Sequence, residues 1–189
     1  LKTDYIDLYQ FHSGENKDFF NDDLWNYLTK QVELGKIRFL GNSISHKYVE
    51  NEDLKQIKSS LDYKVNTIQV VYNRLNRLAE KKLFSICKTQ NLGLIAKIPL
   101  AKGILSGKYS IDHVFESTDH RNRFGEEVNK GLIAEALKIK KNEVGDYKMS
   151  EWSIAWCLKN KIISTVIPGC KNINQLKSNI NSYKLINQE

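Results

Sequence analysis

Four polar side chains that could bind or polarise a small molecule lie at or near the ends of β-prone runs. They are His12, Ser43, Gln69 and Lys97. A neutral imidazole can donate one hydrogen bond, a hydroxyl or a carboxamide can both donate and accept, and an ammonium only donates. Because the carboxyl ends of parallel strands form the active sites of barrel enzymes, we expect these side chains to be candidate site residues.

The elements that position these side chains follow from the apolar periodicity, which changes repeatedly between strand and helical spacing. Strand-like runs cover residues 4–10, 36–41, 67–72, 92–98 and 164–167, and helical spacing covers residues 24–34, 48–61, 79–89, 128–143, 150–158 and 173–183. Strand and helix recur about every 30 residues, which predicts parallel βα units in a single domain over residues 1–189. The strand count alone does not distinguish an open doubly wound sheet from part of a barrel.

Composition and charge exclude several classes of protein. With 41% hydrophobic and 27% charged residues, the chain is not collagen-like, disordered or coiled-coil. No apolar run approaches the roughly 18 residues of a membrane span, and the first residues lack a signal-peptide pattern. We therefore expect a cytoplasmic protein with no membrane partner. The net charge of +7 accompanies no recognised nucleic-acid motif, so we expect no nucleic-acid partner.

The sequence lacks the cofactor and metal signatures of other folds. Its three cysteines form no C-x-x-C pair and no Cys/His cluster, which indicates neither a disulfide framework nor a metal site. The patterns G-x-G-x-x-G and the P-loop are missing, which argues against a Rossmann fold and a nucleoside triphosphatase. The segment from Gly103 to Tyr109 is similar to a phosphate loop, but its glycine spacing differs.

Several blocks, taken in order along the chain, resemble the aldo-keto reductase family. They are LKTDYIDLYQFH at residues 1–12, GKIRFLGNS at 35–43, IAKIPLAKGILSGKY at 95–109, DHR at 119–121 and VIPGCKN at 166–172, followed by Gln175 and Asn179. The resemblance covers essentially the whole chain. It implies a (β/α)₈ TIM barrel that uses NAD(P)H without a Rossmann fold and reduces aldehydes and ketones by hydride transfer.

The resemblance also implies that the chain forms only part of a barrel. Family members carry their catalytic Asp, Tyr and Lys on the first three strands, and residues 1–12 resemble the fourth. Since a complete barrel takes about 250 residues, we expect the 189 residues to form a C-terminal portion, strands four to eight, with about five βα units. Such a fragment lacks the proton donor, and we expect it to be inactive alone.

For the candidates at the strand ends, the resemblance implies individual roles. His12 would be catalytic and orient the substrate carbonyl. Ser43 and Gln69 would hold the nicotinamide carboxamide, because an amide needs one donor and one acceptor as partners. Many family members have an aromatic residue at the position of Lys97. A lysine cannot stack on the nicotinamide ring, and it would repel an oxidised ring or reach a phosphate or an anionic substrate.

Two further groups of residues are implied to bind the rest of the cofactor. The loop that follows the strand-like run at residues 92–98 would cross the pyrophosphate, because glycines allow close backbone approach and successive N–H groups can face an anion. Its candidates are Pro99, Leu100, Gly103 and Lys108, with Arg121 as an additional one. The last strand-to-helix turn favours phosphate through its N–H groups and the helix dipole. Its candidates are Gly169, Lys171, Gln175 and Asn179. Lys171 favours NADP(H), and NAD(H) is the alternative.

Three interpretations of function stay open at this point. The first is an NAD(P)H-dependent oxidoreductase that acts on a small carbonyl substrate. The second is a non-catalytic dinucleotide-binding or interaction module derived from a truncated reductase. The third, nucleic-acid binding driven by charge, predicts salt-sensitive affinity that is indifferent to sequence. Because an open set of parallel strands exposes its edges, we also expect self-association or complementation by another fragment.

Overall fold

A parallel β-sheet forms the framework of the computed structural model, which describes residues 2–186. Its strands are β1 (Ile6–His12), β2 (Ile37–Ser43), β3 (Val65–Val71), β4 (Gly93–Lys97) and β5 (Ile163–Ile167), in the spatial order β1-β2-β3-β4-β5. The pairs β1·β2, β2·β3 and β3·β4 are parallel. Parallel neighbours require a crossover connection, and helices follow the strands in the chain. The predicted parallel βα units are therefore confirmed.

Most of the helices lie where the apolar periodicity predicts them, although several are divided into short pieces. The short helix at residues 16–19 lies outside the predicted helical segments. The helices are α1 (Asn16–Phe19), α2 (Asp22–Glu33), α3 (His46–Glu50), α4 (Lys55–Lys58), α5 (Leu78–Lys82), α6 (Phe84–Thr89), α7 (Glu126–Ile139), α8 (Met149–Lys159) and α9 (Ile173–Asn181). The Asn21 side chain caps α2 by accepting the N–H of Leu24 at 3.2 Å. Gly35, with φ of +71°, follows the end of this helix, as its conformational freedom allows.

Two compact units can be distinguished in the chain. Unit 1 comprises Leu1–Val71, Leu78–Lys97 and Ile162–Thr165, and unit 2 comprises Tyr72–Arg77, Ile98–Lys161 and Val166–Glu189. The expectation that residues 1–189 form a single domain stays a prediction.

In unit 1, the two faces of the sheet differ because successive side chains of a strand point to opposite faces. The register aligns Phe11, Asn42, Ile68 and Leu94 across the four strands β1 to β4. Phe11 contacts the ring of Phe19 on α1 at a centroid distance of 5.7 Å, so helices cover this face. Polar side chains one residue away along the strands therefore belong to the opposite face.

In unit 2, a hydrophobic cluster surrounds the loop that follows β4. Ile104 and Leu105 of this loop are buried together with Ile133 and Ile139 of α7 and Met149 of α8. Because the loop contributes its own apolar side chains to the core, burial holds its backbone in place.

The three cysteines of the chain differ in their exposure. Cys87 and Cys157 are buried, which raises the pKa of both thiols to about 12, whereas Cys170 is exposed, and all three thiols are free.

Among residues 2–186, no helix is long and apolar enough to cross a membrane. The same part of the chain contains no group of three His, Cys, Asp or Glu side chains that could hold a metal ion.

Candidate functional site

At the carboxyl ends of β1 to β3, three polar side chains form a hydrogen-bonded chain in unit 1. Gln10 Nε2 donates to Gln69 Oε1 at 3.0 Å, and Gln69 Nε2 donates to Ser43 Oγ at 3.1 Å. The strand register explains the arrangement, because Gln10 lies beside Gly41 and Ser43 lies beside Gln69. Ser43 and Gln69, predicted from separate strands, are thus brought together.

Gly41 allows this close approach of β1, β2 and β3. A Cβ atom at this position would lie 2.5 Å from Thr67 Oγ1 and 2.9 Å from Gln10 Cγ. The strand β2 can therefore accommodate the Gln10 side chain only with a glycine here.

Lys97, at the end of β4, reaches back across the sheet to the same serine. Its Nζ donates to Ser43 Oγ at 3.0 Å and to the Ile44 carbonyl oxygen at 2.9 Å. The side chain is half-buried, and desolvation of the ammonium lowers the pKa of Lys97. Within residues 2–186, no carboxylate lies in ion-pair contact with this ammonium, so its charge is balanced only by oxygen dipoles.

These contacts leave Ser43 with one unused function. A hydroxyl oxygen accepts through two lone pairs, and here Gln69 and Lys97 occupy both. The hydroxyl hydrogen of Ser43, which is only 1% exposed, remains able to donate. Gln10, which is connected to Ser43 through Gln69, has a buried Oε1 atom with no hydrogen-bond partner among the described residues. One donor and one acceptor are the two functions that a bound carboxamide requires.

His12 ends β1 and lies beside Ser43 in the register of the sheet. Its side chain is exposed and makes no hydrogen bond or ion pair within the described range. An imidazole in this position is free to donate to the oxygen of a ligand. The structure therefore places the predicted catalytic histidine next to the serine.

A buried amide relay fixes the loop that follows His12. Asn42 Nδ2 donates to Gln56 Oε1 at 3.1 Å, and Gln56 Nε2 donates to the Gly14 carbonyl oxygen at 3.2 Å and to Asn16 Oδ1 at 2.9 Å. Asn42 and Gln56 are 0% and 2% exposed. Because buried amides are costly unless bonded, this relay holds the loop in one conformation.

Sequence reasoning missed both Gln10 and Gln56. Gln10 could have been found from the alternation of the strand, since it precedes His12 by two residues and shares its face. Gln56 carries no such signal, because its importance comes from contacts with residues 40 and 42 positions away.

In unit 2, the predicted pyrophosphate loop adopts a tightly turned conformation. Ala101, Lys102, Gly103 and Gly107 all have positive φ, and the N–H of Gly103 donates to the Leu100 carbonyl oxygen at 2.8 Å. A run of such residues can turn N–H groups toward a common anion.

The remaining members of this predicted group differ in exposure. Pro99 at the start of the loop is buried, and Lys108 near its end is exposed. The Lys108 Nζ lies 4.8 Å from the centroid of the Tyr109 ring. The loop thus presents a cation to solvent beside its turned backbone.

Arg121 lies outside this loop in the sequence and contacts it through its side chain. The guanidinium donates to both carboxylate oxygens of Asp119, to the Tyr109 hydroxyl and, at 3.0 Å, to the Lys102 carbonyl oxygen. These bonds hold the pKa of the Asp119 carboxyl well below its usual range. Arg121 therefore anchors the loop, and its predicted contact with a phosphate stays a prediction.

The candidates near the last helix lie mostly on the surface of unit 2. Gln175 Oε1 accepts the N–H of Lys171 at 2.7 Å, and Asn172 caps α9 by accepting the N–H of Gln175 at 2.9 Å. Gly169, Lys171 and Gln175 are exposed, and Asn179 is half-buried one turn further along α9. The structure bonds Lys171 to Gln175 and places Asn179 one helical turn beyond Gln175 on α9.

Comparison with known proteins identifies the class that this fold and site represent. The chain belongs to the Aldo/keto reductase family, whose model matches residues 1–189. It is 27% identical over 185 residues to the uncharacterized oxidoreductase YrpG of Bacillus subtilis (strain 168), covering 98% of this chain and 56% of that protein. It is 28% identical over 196 residues to the aldo-keto reductase yakc [NADP(+)] of Schizosaccharomyces pombe, covering 98% and 54%.

The solved structures agree with the sequence comparison. The holo form of the aldo-keto reductase AKR11C1 from Bacillus halodurans superposes with a TM-score of 0.72 at 23% identity, covering 100% of this chain and 57% of that one. The predicted α/β fold, a partial TIM barrel of the aldo-keto reductase type, is thereby confirmed. The chain spans a little over half the length of these relatives.

One part of the sequence-based assignment needs correction. The family match begins at residue 1 and continues to residue 189, and so includes the amino-terminal region of the chain. It does not support our prediction that the chain is a C-terminal part consisting of strands four to eight. Local resemblance of single blocks identified the family correctly but did not determine which part of a barrel these strands form.

Proposed function

We propose that this chain binds a nicotinamide dinucleotide and contributes to the reduction of aldehydes or ketones. The cofactor, when bound, supplies the hydride. The observation that carries the proposal is the pairing of a Ser43 hydroxyl that can only donate with the buried, unpartnered Gln10 Oε1, held together through Gln69. This pair matches the carbonyl oxygen and the NH₂ group of the nicotinamide carboxamide. Family membership supports the same reaction class.

In this proposal, His12 orients the substrate. Its exposed imidazole at the end of β1 would donate an N–H hydrogen bond to the carbonyl oxygen of a small substrate. His12 is the catalytic candidate among the described residues, and it does not replace a complete acid-catalytic set. We therefore propose cofactor binding, and no turnover, for the chain by itself.

Unit 2, taken by itself, contains candidate residues for binding phosphate. The turned loop with Gly103 and Lys108 is suited to a pyrophosphate, because its backbone approaches closely and an exposed cation accompanies it. Lys171, two residues before α9, is exposed and would favour NADP(H) over NAD(H). The name of the yeast relative, which includes NADP(+), supports this preference.

The cofactor proposal can be tested by fluorescence titration of the purified chain with NADPH. We expect micromolar binding that Ser43→Ala weakens about tenfold, because a hydrogen bond lost at a buried site costs on the order of 1–1.5 kcal/mol. Ser60→Ala is the matched control, since Ser60 is equally buried and its hydroxyl donates to the Gln56 carbonyl oxygen. Absence of binding by the unaltered chain, or equal binding by Ser43→Ala, would refute the proposal.

The preference for the 2′-phosphate has its own test. Lys171→Met should weaken NADPH binding several-fold and leave NADH binding unchanged, because only NADPH carries the phosphate. Lys177→Met, an equally exposed lysine on α9, is the control. If Lys171→Met weakens the binding of both cofactors equally, the lysine does not select the phosphate.

A second candidate function is that of an association module. Within the described sheet, β1 is an edge strand, and Tyr9 and Phe39 are 44% and 55% exposed on β1 and β2. Exposed apolar edges favour pairing with another chain, and a charged side chain blocks such pairing. We propose self-association through β1. Sedimentation velocity should show a mass that rises with concentration, and Tyr9→Lys should abolish the rise; a monomer at every concentration would refute this.

A further inference from the structure

The Lys97 ammonium is an unusual component of the unit 1 site, because it is a desolvated cation with no carboxylate partner within residues 2–186. It lies 3.0 Å from Ser43 Oγ, the atom to which the proposed function assigns the nicotinamide carboxamide. The Ser43 hydroxyl oxygen and the Ile44 carbonyl oxygen both accept from this ammonium, so it cannot move away without losing both bonds. A fixed positive charge therefore accompanies the proposed carboxamide contact.

We propose that Lys97 is a specificity-determining residue that favours the reduced cofactor over the oxidised one. The inference rests on the proposed function, and it adds a preference between the two redox forms of the cofactor, which cofactor binding does not itself require. The oxidised nicotinamide ring carries a positive charge and the reduced ring is neutral, whereas the phosphates, riboses and carboxamide of the two forms are the same. The ammonium of Lys97 therefore opposes only the oxidised form.

The same ammonium also sets the direction of the Ser43 hydroxyl. Because both Lys97 and Gln69 donate to Ser43, its hydroxyl hydrogen must point toward a ligand acceptor. The carbonyl oxygen of the carboxamide would then be held by Ser43 in either redox state. Orientation of the carboxamide and selection of ring charge thus come from one lysine.

The size of the effect follows from Coulomb repulsion in a partly buried site. Two unit charges separated by several ångströms at the effective dielectric constant of a protein surface, about 20, alter an equilibrium by about tenfold or more. Screening by salt reduces this factor, since the site is only half-buried. We expect a contribution of about tenfold at low ionic strength.

The experiment compares the dissociation constants of NADPH and NADP⁺ for the purified chain and its variants at low ionic strength. Lys97→Gln removes the charge and retains a donor, and it should lower the ratio of the NADP⁺ constant to the NADPH constant about tenfold. The change should come from tighter NADP⁺ binding. Added salt should lower the same ratio in the unaltered chain and have little effect on it in Lys97→Gln.

Lys82→Gln is the matched control. Lys82 also donates to a backbone carbonyl oxygen, that of Glu50 at 3.2 Å, and its side chain is 23% exposed in the same unit. Its replacement should leave the ratio unchanged. Circular dichroism melting of both variants checks that each is folded under the conditions of the titration.

The possible outcomes separate the two proposals. If the unaltered chain binds both cofactor forms and Lys97→Gln has the same ratio, Lys97 does not discriminate between them, although the proposed function stands. If the unaltered chain binds neither form, the proposed function fails and the inference fails with it. A lowered ratio in Lys97→Gln but not in Lys82→Gln supports the inference.

Discussion

Removal of the Ser43 hydroxyl should destabilise the chain by an amount that depends on Lys97. Ser43→Ala deletes one bond from a neutral amide, at 3.1 Å, and one from a charged ammonium, at 3.0 Å. A neutral hydrogen bond contributes about 1 kcal/mol, and one to a charged group about 1.5–3 kcal/mol. Lys97 keeps its bond to the Ile44 carbonyl oxygen, so we expect the lower part of the summed range, about 2.5–3 kcal/mol.

Urea unfolding followed by circular dichroism measures this loss. For a domain of about 150–250 residues, 1 kcal/mol corresponds to about 2–4 °C in Tm, so thermal unfolding should show a decrease of about 5–12 °C. An unchanged slope of the urea transition would show that the free energy of unfolding changed and not the extent of unfolding.

A double-mutant cycle isolates the Ser43–Lys97 bond from the remainder. Lys97→Met in the Ser43→Ala background should cost less than in the unaltered chain, with a coupling free energy of about 1–2 kcal/mol. The pair Ser60→Ala and Lys97→Met is the control, because Ser60 makes its bond to Gln56 and not to Lys97. Additivity of Ser43→Ala and Lys97→Met within about 0.5 kcal/mol would refute the reasoning.

Three further predictions concern other parts of the chain. Gly107→Ala should cost about 1–2 kcal/mol in urea unfolding, because φ is +79° and the new Cβ would lie 3.0 Å from Met149 Cβ; unchanged stability would contradict this. The bonds from Arg121 lower the pKa of Asp119, so they stabilise the fold above the usual pKa of an aspartate, about 4, and this stabilisation is lost as the pH falls below it. Urea midpoints between about pH 6 and pH 3 should therefore fall more steeply for the unaltered chain than for Asp119→Asn, and parallel curves would be evidence against the pairing. Maleimide should label only the exposed Cys170 in the native chain and all three cysteines in urea, since burial suppresses the other two thiolates; labelling of three thiols in the native state would show that the core opens.

Most of the strands and helices, and the family, could be predicted from the local pattern of residues along the chain. The apolar run at residues 92–98 becomes β4 (Gly93–Lys97), and the run at 67–72 becomes β3 (Val65–Val71). These predictions succeed because a period of two residues is a local property of the chain. The types of His12, Ser43, Gln69 and Lys97 are likewise visible in the sequence, so their chemistry could be anticipated from their positions near strand ends.

The contacts between side chains of the site become visible only in the folded chain. Gln10 bonds to a side chain 59 residues away, and Lys97 bonds to a hydroxyl 54 residues away. Such contacts depend on strand register, on the missing side chain of Gly41 and on the rotamers that packing allows, none of which a local pattern contains. For this reason the sequence indicated Lys97 as a cation that would repel an oxidised nicotinamide ring or reach an anion, whereas the fold shows that its ammonium donates to Ser43 Oγ and to the Ile44 carbonyl oxygen.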